Sequence, residues 1–79
     1  MACKAFVLIA SKIGKTKDVV TALGKVEGVR SADAVIGRYD IIATVEAEDI
    51  EGVGNLVTRK IHPIPGVNRT ITCPSVLLS

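Results

Sequence analysis

The stretch A-D-A-V-I-G-R-Y-D-I-I-A-T-V, Ala32 to Val45, contains two apolar runs separated by a four-residue turn. Runs of this kind, rich in valine and isoleucine, are typical of β-strands, and a short break with glycine and aspartate between them predicts a hairpin. The turn is Gly37 to Asp40. It also offers recognition groups, because Gly37 can expose its backbone N–H, Tyr39 carries a phenol and Asp40 carries a carboxylate.

The turn has a binding interpretation and a structural one. A small zwitterion such as a free amino acid needs a carboxylate for its amine, which Asp40 supplies, and N–H donors for its own carboxylate, which Gly37 supplies. In the structural interpretation, Gly37 only makes the turn and Asp40 hydrogen-bonds to the nearby backbone, as aspartate commonly does. Taken alone, the four residues favour the structural interpretation.

Outward from the hairpin, the pattern predicts strand–helix–strand twice over. The elements are a strand at Lys4 to Ala10, a helix from Thr16 to Gly28, strands at Val29 to Ile36 and Ile41 to Ala47, a helix from Asp49 to Pro63 and a strand at Val67 to Cys73. Apolar residues recur at helical spacing in both helices, and Thr16 and Asp49 are suited to cap them. This order predicts an α+β, ferredoxin-like βαββαβ fold, with a four-stranded antiparallel sheet and both helices on one face.

Length and composition limit the possibilities further. The 79 residues form one small domain (1–79), and a chain of this size buries only about 60% of its unfolded surface. No apolar stretch approaches the ~20 residues of a membrane span, and no signal peptide precedes the first strand, so a soluble cytoplasmic protein without membrane contact is expected. The net charge is +2. Because the cations are scattered and no aromatic residues lie between them, direct nucleic acid binding is not expected.

Two helices can cover only one face of the predicted sheet, yet apolar side chains alternate along the strands on both faces. The residues predicted for the second face are Phe6, Leu8, Ala34, Ile36 and Ile42. In water they would form an apolar patch beyond the roughly 300–600 Å² usual for a monomer. We therefore expect a homodimer that packs sheet against sheet.

Few residues suggest catalysis. Cys3 and Cys73 are too few and too distant in sequence for a zinc site. The predicted strand order across the sheet is four-one-three-two, which places both cysteines at one end of the sheet. We expect them to be free thiols. His62, the only histidine, is expected to meet the last carbonyl groups of the second helix. Neither a catalytic set nor a cofactor or metal site is predicted.

The alternatives to a binding function are a small dimeric α/β-barrel enzyme, such as a monooxygenase or isomerase, and a purely structural oligomerisation module.

Five motifs occur in order along the chain. They are A-F-V-L-I at Ala5 to Ile9, G-K before a V-x-x-A-L helix at Gly14 to Leu23, G-V at Gly28-Val29, G-x-Y-D-I-I at Gly37 to Ile42 and I-P-G-V at Ile64 to Val67. Together they resemble the ligand-sensing RAM domain of the Lrp/AsnC, or feast/famine, transcription regulators. The resemblance extends from about Lys4 to Cys73. Because Met1 directly precedes the first strand, the stand-alone version without a helix-turn-helix domain is expected.

The resemblance implies a ferredoxin-like dimer that assembles into a ring, often of four dimers and hence an octamer, with a free amino acid as effector bound where dimers meet. The G-x-Y-D loop of that family corresponds to Gly37, Tyr39 and Asp40, with Arg38 beside them. Polar positions on the fourth strand of an adjoining subunit, here Thr70 and Thr72, are expected to complete the pocket. Full-length Lrp/AsnC regulators are the implied protein partners.

Overall fold

A computed structural model describes residues 2–76 and has the predicted βαββαβ order. The strands are β1 (Cys3–Ser11), β2 (Val29–Ala34), β3 (Ile41–Ala47) and β4 (Val67–Pro74), and the helices are α1 (Thr16–Leu23) and α2 (Ile50–Leu56), which continues as a π-helical turn at Val57–Ile61. The sheet order is β2-β3-β1-β4, and every neighbouring pair is antiparallel. The predicted ferredoxin-like α+β fold and strand order are confirmed.

The core lies between the two helices and one face of the central strands. On β1 and β3 the directly opposed pairs Ala5–Val45, Val7–Ala43 and Ile9–Ile41 point toward the helices and are fully buried. The helical side of the core consists of Val19, Leu23, Val53, Val57 and Ile61. Burial of one such valine, leucine or isoleucine side chain contributes about 1.5–3 kcal/mol, so this layer supplies most of the stabilisation that the chain has by itself.

The two helices begin differently. The Asp49 side chain accepts a hydrogen bond of 2.7 Å from the Gly52 N–H, so the predicted cap of α2 is confirmed. The predicted cap at Thr16 is wrong, because Thr16 is already helical and Lys15 occupies the cap position without a side-chain bond. The Thr16 hydroxyl instead lies 2.7 Å from the Ser11 hydroxyl and ties α1 to the end of β1.

The sheet face away from the helices, called the open face below, carries Phe6, Leu8, Ile42, Ile71 and Cys73. Phe6 is 38% exposed and Ile71 is 44% exposed, so the expected second apolar face is present in the centre of the sheet. Its predicted β2 members are wrong. Ala34 opposes the buried Ile41 and therefore lies on the helix side, and Ile36 lies beyond the end of β2 and is fully exposed.

A β-bulge explains this difference. Val29 packs against the core, and a regular strand starting there would turn Ala34 toward the open face. The register between β2 and β3 shifts between Val29 and Ser31, which reverses the alternation. Ser31 and Asp33 therefore face outward, and the β2 edge of the open face is polar.

The two cysteines lie toward the same end of the sheet, as expected, but on opposite faces. Cys73 opposes Phe6 on the open face, whereas Cys3 opposes Ala47 and packs against the core. Both thiols are free. Because the side chains point away from each other, a disulfide within one chain is incompatible with this fold.

Candidate ligand-binding site

The predicted recognition loop connects β2 to β3 and is fixed at its base by the backbone. The Val35 N–H donates to the Asp40 carbonyl at 2.8 Å, and the Asp40 N–H donates to the Ile9 carbonyl of β1 at 2.9 Å. At its tip, Gly37 is exposed and has φ of +155°, a conformation that L side chains rarely adopt. A Cβ at Gly37 would meet no atom within 4 Å, so the preference for glycine there comes from the backbone and not from crowding.

The Asp40 carboxylate makes a long-range contact that the sequence did not indicate. Its Oδ2 accepts a hydrogen bond of 2.8 Å from the N–H of Ser11, a residue 29 positions earlier in the chain. The aspartate therefore joins the hairpin loop to the end of β1 rather than bonding within the turn. An ionised carboxylate has two oxygens and about four acceptor sites, so this bond leaves most of its capacity for a ligand amine.

Tyr39 connects the loop to the fourth strand. The Arg69 guanidinium carbon lies 5.9 Å from the centroid of the Tyr39 ring, a cation–π arrangement across the open face. Beside it is a shallow depression of about 250 Å³, lined by Leu8, Val35, Ile36, Gly37, Arg38, Tyr39 and Ile42. This volume is below the roughly 300–1,000 Å³ of typical ligand sites, so the depression alone does not enclose a ligand.

Thr70 and Thr72 lie on the other side of the sheet. They oppose Ile9 and Val7, and they line a groove of about 380 Å³ between β4 and α2. The groove has an apolar wall and a hydroxyl-bearing wall, and its other members are Ile50, Val53, Gly54, Val57, Thr58, His62 and Pro74. Within one chain, the loop and the two threonines do not form one pocket. The family resemblance implies a pocket in which the loop of one subunit meets the two threonines of another, and that arrangement needs contacts between subunits.

His62 contacts Thr70, one of the predicted site residues, and the sequence did not indicate this contact. Its Nε2 lies 2.8 Å from the Thr70 hydroxyl, so the ring bonds across to β4 and not to the helix carbonyls as predicted. The His62 N–H donates to the Val57 carbonyl at 2.8 Å, the i to i−5 bond of a π turn. The α-helical spacing used on the sequence could not place this side chain, because a π turn inserts an extra residue.

The described chain offers neither a metal cluster nor a membrane span. Among residues 2–76, no three His, Cys, Asp or Glu side chains are grouped so that they could hold a metal ion. The helices within the same residues are too short and insufficiently apolar to cross a membrane. The loop and the groove present hydrogen-bond donors, acceptors and one carboxylate, a set that suits reversible binding of a small polar ligand.

Comparison with known proteins connects this geometry to a family. The model of the Lrp/AsnC ligand binding domain matches residues 4–76. An uncharacterised HTH-type transcriptional regulator of Pyrococcus furiosus is 39% identical over 59 residues, which are 75% of this chain and 39% of that protein. The chain thus spans well under half the length of the curated relatives it matches.

Solved structures share the fold over nearly the whole chain. The protein TTHA0845 from Thermus thermophilus has a TM-score of 0.90 at 30% identity, covering 98% of this chain and 96% of that chain. The transcriptional regulator NMB0573 from Neisseria meningitidis, solved as a complex with L-Met, has a TM-score of 0.85 at 16% identity. That match covers 95% of this chain and 50% of the Neisseria chain, and at this identity it shows the fold alone.

Proposed function

Because the chain belongs to the Lrp/AsnC ligand-binding domain family, we propose that it is an oligomeric amino-acid sensor that modulates transcription or amino-acid metabolism through partners. Membership confirms the resemblance found in the sequence. The domain and its relatives belong to transcriptional regulators and not to enzymes, which confirms the expectation of a non-enzymatic protein. The proposed partners are full-length Lrp/AsnC regulators in the cytoplasm, where amino-acid levels are sensed.

The first part of the proposal is assembly through the open face. Phe6, Leu8, Ile42 and Ile71 leave apolar area in contact with water, and a second copy packed sheet against sheet would remove it. Full burial of such a side chain contributes about 1.5–3 kcal/mol, and dimerisation would add the part that belongs to the area still exposed, which several residues per subunit would supply together against the cost of association. The proposed unit is therefore a homodimer, and dimers assemble further into a ring such as an octamer.

The second part concerns the ligand. The observation that carries it is the Asp40 carboxylate, which is held in place by the Ser11 N–H beside an exposed glycine turn. In the proposed site, Asp40 binds the amine of a free amino acid, and Gly37 and Arg38 bind its carboxylate. Tyr39 lies beside the ligand on the open-face side of the loop.

Residues of an adjoining subunit close the site. Thr70 and Thr72 line the apolar groove between β4 and α2, and in the proposed assembly they face the loop of another subunit. The Neisseria regulator in complex with L-Met supports a free amino acid as the ligand class, because it shares this fold. An amphipathic ligand of that kind suits a groove with one apolar and one hydroxyl-bearing wall.

Calorimetric titration with the twenty standard amino acids tests the proposal. For the amino acid that binds most tightly, the N-acetyl derivative, which lacks the ammonium charge, is the matched control. The proposal predicts binding of at least one amino acid and a loss of at least about tenfold with its N-acetyl derivative. If none of the twenty binds, the structural oligomerisation alternative replaces the sensor.

A further inference from the structure

The hydrogen-bonded pair His62 and Thr70 lies between two surface depressions. One is the groove between β4 and α2 already described, and the other has a volume of about 400 Å³ and is lined by His62, Val67, Asn68, Arg69 and Thr70. His62 and Thr70 are the residues common to both linings. The 2.8 Å contact between their side chains therefore forms the ridge that separates the two depressions.

The polar groups around this ridge suit an anion. Among the described residues that line the two depressions, none is acidic, and apart from Arg69 the polar ones carry hydroxyls, one amide and one imidazole. Arg69 lines one depression, but its guanidinium lies over the Tyr39 ring on the open face, and from the helical side the polar neighbour of His62 is Thr58. A ligand carboxylate would meet donors here and no competing negative charge.

The Thr70 hydroxyl has a single proton, and His62 decides where it points. If Nε2 carries a proton, it donates to Thr70, and the hydroxyl proton is free to donate to a ligand. If Nε2 is unprotonated, it accepts the hydroxyl proton, and Thr70 offers a ligand only its lone pairs. A doubly protonated ring has two donors and no acceptor, so it permits only the first arrangement.

We propose that His62 is a specificity-determining residue for the ligand carboxylate, acting through Thr70. With the ring as donor, the Thr70 hydroxyl donates to a carboxylate oxygen of the bound amino acid. A carboxylate accepts about four hydrogen bonds, so this contact adds to those from the loop of the other subunit. The proposal rests on the proposed function, since it assigns a role within the same site.

The test compares wild type, His62→Ala and His62→Gln by calorimetry with the tightest binder among the twenty amino acids and with its carboxamide. Glutamine keeps an N–H donor near Thr70 without the imidazole ring. His62→Ala should bind the amino acid about five- to tenfold more weakly and the carboxamide less than about twofold more weakly. His62→Gln should restore most of the affinity.

Three outcomes decide between the possibilities. Equal weakening of both ligands in His62→Ala would overturn the inference and leave the proposed function intact. Unchanged affinity in His62→Ala would overturn it as well. If wild type binds none of the amino acids, the proposed function fails, and this inference fails with it. Melting temperatures serve as the folding control, and because His62 is exposed, both variants are expected to fold.

Discussion

Replacement of Asp40 by asparagine separates the two roles that the structure offers this side chain. The carboxylate accepts a 2.8 Å bond from the Ser11 N–H, and in the proposed site it also binds a ligand ammonium. An asparagine side-chain oxygen can still accept from Ser11, but it carries no charge. Asp40→Asn is thus expected to keep the structural contact and to lose the charge-assisted one.

The two effects differ in size. A hydrogen bond to a charged group is typically worth about 1.5–3 kcal/mol, so Asp40→Asn should weaken amino-acid binding roughly ten- to a hundredfold. Its free energy of unfolding should change by less than about 1 kcal/mol, because Ser11 keeps an acceptor. Asp40→Ala removes that acceptor and should lower the free energy of unfolding by about 1–3 kcal/mol, which for a domain of this size corresponds to roughly 4–8 °C in Tm per kcal/mol.

The assay is calorimetric affinity measured beside the melting temperature for wild type and both variants. The expected result is a large loss of affinity in Asp40→Asn at nearly unchanged Tm, and a further loss of Tm in Asp40→Ala. An Asp40→Asn protein with wild-type affinity would contradict recognition of the ligand amine by Asp40 and would leave this side chain only its contact between the hairpin loop and β1.

Changes at four further positions test the fold and the assembly. Leu8→Asp places a charge in the centre of the open face and should give aggregated or unfolded protein. For wild type, a monomer of 8.3 kDa that persists at micromolar concentration in a sedimentation experiment would contradict assembly through that face. Asp49→Ala should lower the free energy of unfolding by about 0.5–2 kcal/mol in urea denaturation through loss of the α2 cap, and Asp49→Ser should retain most of it. Gly66→Ala should be strongly destabilising, since φ there is +101° and a Cβ would lie 2.8 Å from the Lys15 Cβ. At Gly54 a Cβ would meet no atom within 4 Å, so Gly54→Ala should instead stabilise α2 by up to about 1 kcal/mol. Equal changes in the free energy of unfolding for Gly66→Ala and Gly54→Ala would be inconsistent with the structure.

The fold could be predicted because several local signals agreed. Alternating apolar residues, helical spacing and turn residues recur twice in the same order, and they place β1 and β3 in the centre of the sheet without any long-range information. The Asp49 cap was predicted because its partner lies only three residues away. The error at Ala34 came from a bulge, which inserts a residue without leaving a mark in the hydrophobic pattern.

The site was less accessible to sequence reasoning. The loop at Gly37 to Asp40 was identified as a turn with recognition groups, but the Asp40 contact with Ser11 joins residues that only the tertiary fold brings together. The pairing of His62 with Thr70 depends on a π turn, whose wider spacing the helical pattern cannot distinguish from an α turn. The position of Thr70 on the helix side follows from the β1–β4 register, which pattern alone leaves undetermined.

In the proposed assembly, the loop of one subunit and β4 of another form one amino-acid site, and a mixing experiment can show whether they do. Asp40→Ala and the double variant Thr70→Val with Thr72→Val should each fail to bind the amino acid that wild type binds. After the two are co-refolded, random assembly should regenerate intact sites, with about a quarter of the wild-type binding capacity at wild-type affinity. No recovery in a mixed assembly verified by native mass spectrometry would contradict a site shared between subunits.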